Sequence, residues 1–301
     1  AKSESSEYYH ELNRTPEVIA KKFEQSTEAP VFHHALINEL YCNDMRIDPQ
    51  VIHQILALPR ESLLDDLHKV VYDSMTRHEF FSEQMGWDPQ THEFLMHALL
   101  LLVELNDESS IEVILDILRQ DDDYLETWFS DFLTEDFWEL IYHIANNKLD
   151  VLRKFVMEPN RYIYSCSMIT EVAQQVILHQ PERTREVTEW YKGVFEEWIA
   201  REDDETLIYT ELIAFFVSDV VNLNLIKLEP QISALFNHGL VFEGVSGSHE
   251  KCLKDLYSHK DYDRKREVFG SIAERYRYYL SCWQYYKGDK INQNDKNYYS
   301  F

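Results

Sequence analysis

Four His-Glu dipeptides stand out among the residues able to do chemistry: His10-Glu11, His78-Glu79, His92-Glu93 and His249-Glu250. With 13 histidines in the chain, composition alone would place about one or two such pairs, so the excess is mild. An imidazole beside a carboxylate can serve as a pair of metal ligands or as an acid/base pair. Glu139 and His143 share a helical face at i, i+4, but no second histidine stands nearby to complete a metal set. The chain has no His-Glu-x-x-His, no Gly-x-Ser-x-Gly and no phosphate-cradling glycine loop. Cys42, Cys166, Cys252 and Cys282 form no Cys-x-x-Cys pair, which argues against a zinc knuckle or a thioredoxin-like site and for reduced, buried thiols. Pattern alone therefore names no catalytic residue, no metal ligand and no cofactor.

Carboxylates dominate the remaining polar chemistry. Asp121-Asp122-Asp123 and Glu202-Asp203-Asp204-Glu205 precede expected helices, where negative charge opposes the positive N-terminal dipole. Neither run has the ligand spacing of an EF-hand. Across the 301 residues, 54 acids face 29 lysines and arginines, a formal charge of −25. Such a field disfavours nucleic acid and anionic membrane, whose binding rests on neutralising phosphates with cations, and leaves a basic partner open. The charge is unevenly distributed: residues 1–250 hold 47 acids and 18 bases, residues 251–301 hold 7 acids and 11 bases. Seven glycines and eight prolines are few, which disfavours turn-dense β folds.

The elements that must position these groups read as helices. Val187, Trp190, Tyr191, Val194, Phe195 and Trp198 follow the spacing of one buried helical stripe, as do Ile111, Ile114, Leu115 and Leu118, and Ile169, Val172, Ala173, Val176 and Ile177. Phe94 to Leu105 is apolar almost all round and should be central. Short polar connections pair the helices, with hairpins beginning near Ser62, His92, Tyr124, Tyr162 and Glu205; the irregular steps suit degenerate helical repeats. Thr134 reads as an N-cap with Glu135 and Asp136 in the first turn of its helix. These features predict an all-α protein in three parts: an N-terminal helical extension over residues 1–47, a helical-repeat body over 48–245, and a basic, tyrosine-rich C-terminal helix with a frayed tail over 246–301. The C-terminal helix is expected to dock back on the acidic body. The start of the chain lacks an apolar core and no apolar run is long enough to cross a bilayer, so a cytoplasmic location is expected.

Three segments carry a family resemblance: Leu58-Pro59-Arg60-Glu61-Ser62-Leu63, the helix Phe94 to Leu105, and Trp128-Phe129-Ser130-Asp131-Phe132-Leu133-Thr134-Glu135-Asp136. Together with Val176-Ile177-Leu178-His179-Gln180-Pro181-Glu182-Arg183 they resemble the bacterial domain-of-unknown-function family 1186 over roughly residues 48–240. That resemblance implies a HEAT-like α-solenoid of irregular antiparallel helix pairs and makes Asp131, Thr134 and Glu135 the candidate family positions. Some members look as if they append a cysteine-rich metal motif, but only Cys252 and Cys282 follow Leu240 here, so no zinc site carries over. HEAT-repeat deoxyhypusine hydroxylases are also similar in outline, because repeated His-Glu pairs there hold two irons. The pairs of this chain lie 68, 14 and 157 residues apart, and none of these steps is one repeat.

The expected function is therefore a non-enzymatic scaffold that presents an acidic helical surface to a basic protein or peptide, with Asp121, Asp122, Asp123, Asp131, Thr134 and Glu135 as candidate partner-binding residues. A di-iron-like enzyme built on the His-Glu pairs and a DNA-mimicking inhibitor are the alternatives. Neither nucleic acid nor membrane is an expected partner.

Overall fold

A computed structural model describes residues 13–258, 266–267 and 269–282; His10-Glu11 and the tail from Asp289 lie outside them. The described residues form helices and connections without a strand, an all-α fold. Helices of eight or more residues are α1 (Pro49–Leu56), α2 (Arg60–Thr76), α3 (Phe94–Leu105), α4 (Ile111–Leu118), α5 (Asp122–Phe129), α6 (Phe137–Ala145), α7 (Leu149–Val156), α8 (Ile163–His179), α9 (Thr184–Ala200), α10 (Thr210–Asn222), α11 (Glu229–Asn237), α12 (His249–Leu256) and α13 (Ile272–Cys282). No described helix is long and apolar enough to cross a membrane.

Local chemistry explains their ends. Pro49 opens α1, and Asp48 accepts the Gln50 amide at 2.8 Å as its N-cap. Ser248 does the same for α12 after Gly247 turns the chain at φ 80°. α3 stops at Asn106, which takes the left-handed conformation at φ 47°. The stripe on α9 is buried in full, from Val187 to Trp198, and ten of the twelve residues of α3 are buried. Those two apolar patterns dictated both helices.

The chain divides into two compact units. The stacked unit takes the described parts of Ala1–Lys21, Leu118–Asp122 and Asp131–Glu267; the pocket unit takes those of Lys22–Ile117, Asp123–Ser130 and Val268–Phe301. In the stacked unit α6, α8, α10 and α12 pack successively in one row while α7, α9 and α11 pack in a second. Helices two apart in sequence are thus neighbours within a row. In the pocket unit α2 packs along α3, and α13 lies on α3 as well.

The N-terminal end departs from the expected helical extension. Residues 13–34 carry no helix, and the first helical segment is the 3-10 turn Ala35–Tyr41. Residues 13–21 are instead stitched to the stacked unit by backbone bonds: Arg14 exchanges bonds with Thr210, the Ile19 amide donates to the Asn160 carbonyl, and the Lys21 amide to that of Arg119. Helix α13 docks chiefly through an aromatic and apolar face, Ile272, Ala273, Tyr276, Tyr279 and Leu280, with Arg275 reaching Glu104 at 3.3 Å. Apolar burial, not charge, dominates that contact.

Candidate functional site

The pocket unit contains a cavity of about 250 Å³. Its lining includes Pro30, Phe32, Tyr41, Phe80, Phe81 and Met85 around the guanidinium of Arg77. The wide π-helical turn Phe80–Met85 forms one wall, a kind of turn that recurs at functional sites. Two contacts and a glycine hold it. The buried His92 ring donates from Nε2 to the Phe81 carbonyl at 3.1 Å, Trp128 stands edge-on to Phe81, and Gly86 ends the turn at φ 69°.

Arg77 is 7% exposed, and Asp73, on the preceding turn of α2, is 3% exposed. The guanidinium donates to both Asp73 oxygens at 2.6 and 2.5 Å and lies over the Phe81 ring at 4.7 Å. Tyr41 completes the group by donating to Asp73 at 2.9 Å. Burial and the Asp73 charge hold the Tyr41 hydroxyl well above the ordinary tyrosine range, so it remains a donor. The cation and anion cancel, and the cavity offers a neutral, aromatic-walled interior.

Its surroundings are apolar and acidic at once. Met85, Trp87 and Val31 are large hydrophobic residues that stay exposed, Val31 to 84%. Exposed Glu28, Glu39 and Glu79 adjoin lining residues in sequence, exposed Glu83 sits within the π turn, and exposed Asp88 caps the short helix that carries Thr91.

A second group assembles His33 with the consecutive acids Asp65 and Asp66 of α2, all in the pocket unit. His33 Nδ1 is 3.2 Å from an Asp65 oxygen and 2.9 Å from an Asp66 oxygen. Asp66 is buried and accepts the amides of His33 and His34 at 2.8 and 3.0 Å, which fixes its carboxylate. Lys69 reaches Asp65 at 2.9 Å and holds the Asp65 carboxyl below its usual range.

In the stacked unit the polar interior is different. Thr170 on α8 donates to Asp219 on α10 at 2.8 Å, and the buried Tyr191 hydroxyl of α9 stands 2.7 Å from Thr170 Oγ1. Gln174 also hydrogen-bonds Asp219, no cation among the described residues faces it, and burial pushes its carboxyl up to about 8. Burial also raises the carboxyl of Glu171, which accepts from Gln174 and Gln175 at 3.1 and 3.0 Å.

The residues singled out from sequence fall elsewhere. Asp131, Thr134 and Glu135 are exposed on one short turn, Phe132–Glu135, and line no described cavity. Thr134 is not an N-cap. Ser130 takes φ 46° and breaks the preceding helix, so a separate turn begins early, and the Thr134 hydroxyl donates back to the Asp131 carbonyl at 3.2 Å. Asp121 precedes α5, while Asp122 and Asp123 occupy its first turn, exposed. Asp123 accepts from His78 at 3.1 Å. In the second acidic run Asp204 ties a turn, accepting the Thr206 amide at 3.0 Å, and α10 begins later, at Thr210. The described His-Glu pairs are engaged separately: His78 with Trp128 and Asp123, His92 with the π turn, His249 with Ser233 and the Phe236 ring.

With this architecture in hand, comparison places the chain in a family. Residues 34–268 match the family model DUF1186, described as a protein of unknown function, so the chain belongs to that family. The match begins before and ends after the span of 48–240 read from the motifs. No curated protein and no solved structure matches the chain.

Proposed function

We propose that this protein is a non-enzymatic interaction scaffold whose HEAT-like helical stack presents an acidic surface to a basic protein or peptide. The observation that carries the reading is the aromatic cavity with its exposed apolar rim and acidic neighbours. Interfaces concentrate their affinity in a few large side chains seated in desolvated pockets, while rim charges govern encounter and selectivity. A cavity of about 250 Å³ holds one side chain such as leucine or phenylalanine. The favoured ligand is a segment with one apolar anchor flanked by lysine or arginine. The four free cysteines suit a reducing compartment, and the cytoplasm is the proposed location.

Fluorescence anisotropy with labelled peptides tests the reading. A peptide carrying one phenylalanine between basic flanks should bind, weaken as salt rises, and lose at least about tenfold in affinity when the flanks become aspartate or the anchor alanine. Ala29→Trp, which fills the cavity, should abolish binding while leaving the circular dichroism spectrum unchanged. Equal binding of acidic and basic peptides, or undiminished binding by Ala29→Trp, would refute it.

A further inference from the structure

We propose that His33, Asp65 and Asp66 form a binding site for a divalent transition metal ion, with zinc as its probe. The site is independent of the peptide-binding reading. Three donors from two segments 32 residues apart converge within 4.8 Å of one another. Zinc bonds of about 2.0–2.2 Å to nitrogen and oxygen, arranged tetrahedrally, put neighbouring donors about 3.3 Å apart. The two nitrogen–oxygen separations here, 3.2 and 2.9 Å, already lie close to that scale, and all three donor atoms lie within 4.8 Å of one another.

Chemistry points the same way. One imidazole plus two carboxylates is a borderline donor set that suits zinc, manganese or cobalt and is too nitrogen-poor to favour copper. His33 Nδ1 faces two carboxylate oxygens, and the one proton it can carry serves only one of them well. A metal ion in its place satisfies both acids and the ring. Asp66 is preorganised for this role, since the amides of His33 and His34 orient its buried carboxylate before any ion arrives. His33 and Asp65 are exposed, which gives the ion a path and leaves a fourth position for water.

Lys69 supplies the internal test. Its ammonium occupies one side of Asp65 at 2.9 Å and must yield when a dication binds. Metal affinity is therefore set by competition between a resident cation and an incoming one. Removing Lys69 should tighten binding, an effect that a merely structural hydrogen-bonded cluster would not produce.

The experiment titrates zinc alone into the full chain, freed of metal with a chelator, by isothermal calorimetry at neutral pH. Wild type should take up one equivalent at the strongest site and melt at a higher temperature with zinc than without. His33→Gln and Asp65→Asn, both at exposed positions, should each lose more than about tenfold in affinity while keeping the wild-type circular dichroism spectrum. Lys69→Met should gain affinity by several-fold. No uptake by wild type would overturn the proposal, as would zinc binding of equal strength in the His33→Gln, Asp65→Asn double variant, which would assign the metal to other histidines.

Discussion

Asp73 in the pocket unit, buried, and Asp219 in the stacked unit, half-buried, both sit on long helices, and both accept a hydroxyl donor. Their partners differ. Asp73 faces Arg77 through two hydrogen bonds, whereas Asp219 accepts from Thr170 and Gln174 and meets no cation among the described residues. A guanidinium gives Asp73 a charge partner, while Asp219, offered only the neutral donors Thr170 and Gln174, holds its proton up to about pH 8 because burial disfavours its charged form. The same residue type thus does opposite electrostatic work in the two units. In one it anchors a cation at a cavity, and in the other it behaves near neutrality as an uncharged hydrogen-bonding group.

The largest expected consequence is for Asp73→Asn. It strands the buried Arg77 charge and should lower stability by about 3–5 kcal/mol in urea denaturation, with loss of the cavity's peptide binding. An effect below about 1 kcal/mol would show that Arg77 finds other compensation.

Acid should act next most strongly, through His97. Its Nε2–H donates to the Asn43 carbonyl and its Nδ1 stands 2.8 Å from the Tyr276 hydroxyl; burial lowers its titration to about 4, which keeps the ring neutral near pH 7. The folded state then binds fewer protons than the unfolded one between about pH 4 and the ordinary histidine value of 6.5. Stability falls as pH drops through that window, by up to a few kcal/mol. His97→Gln should flatten that part of a melting-temperature profile.

Asp219→Asn probes the stacked unit with the opposite sign. The raised carboxyl stabilises the fold at low pH, and that contribution is lost as pH rises from about 4 through about 8. Asparagine keeps the acceptor for Thr170 and removes the charge, so the variant should melt a few degrees above wild type at pH 9 and close to it at pH 5. A lower melting temperature at pH 9 would contradict the protonated assignment.

Thr134→Ala marks the small end. The hydroxyl bonds only to its own turn, so the expected loss is under about 0.5 kcal/mol, whereas an N-cap would have cost about 1 kcal/mol. Thermal melts of the two chains distinguish these figures.

The sequence made the helices legible because their burial is periodic: the stripe on α9 and the apolar α3 needed no tertiary knowledge. Thr134 misled because Ser130 adopts a left-handed conformation that its residue type does not announce. The cavity was not legible, since Tyr41 and Arg77 meet across 36 positions and a buried arginine looks like any surface arginine until its partner is known. His33 was equally silent, standing outside every His-Glu pair and reaching acids 32 and 33 positions away. The basic tail drew attention by charge, yet its described helix is held chiefly by Tyr276, Tyr279 and their apolar neighbours.

The helix-free segment at residues 13–21 sets an order on biosynthesis. Its Arg14 amide bonds to Thr210, 196 positions downstream. At about 5–20 residues per second a ribosome needs roughly 10–40 s to make that partner. The segment can take its place only late, after the chain that carries Thr210 has been made.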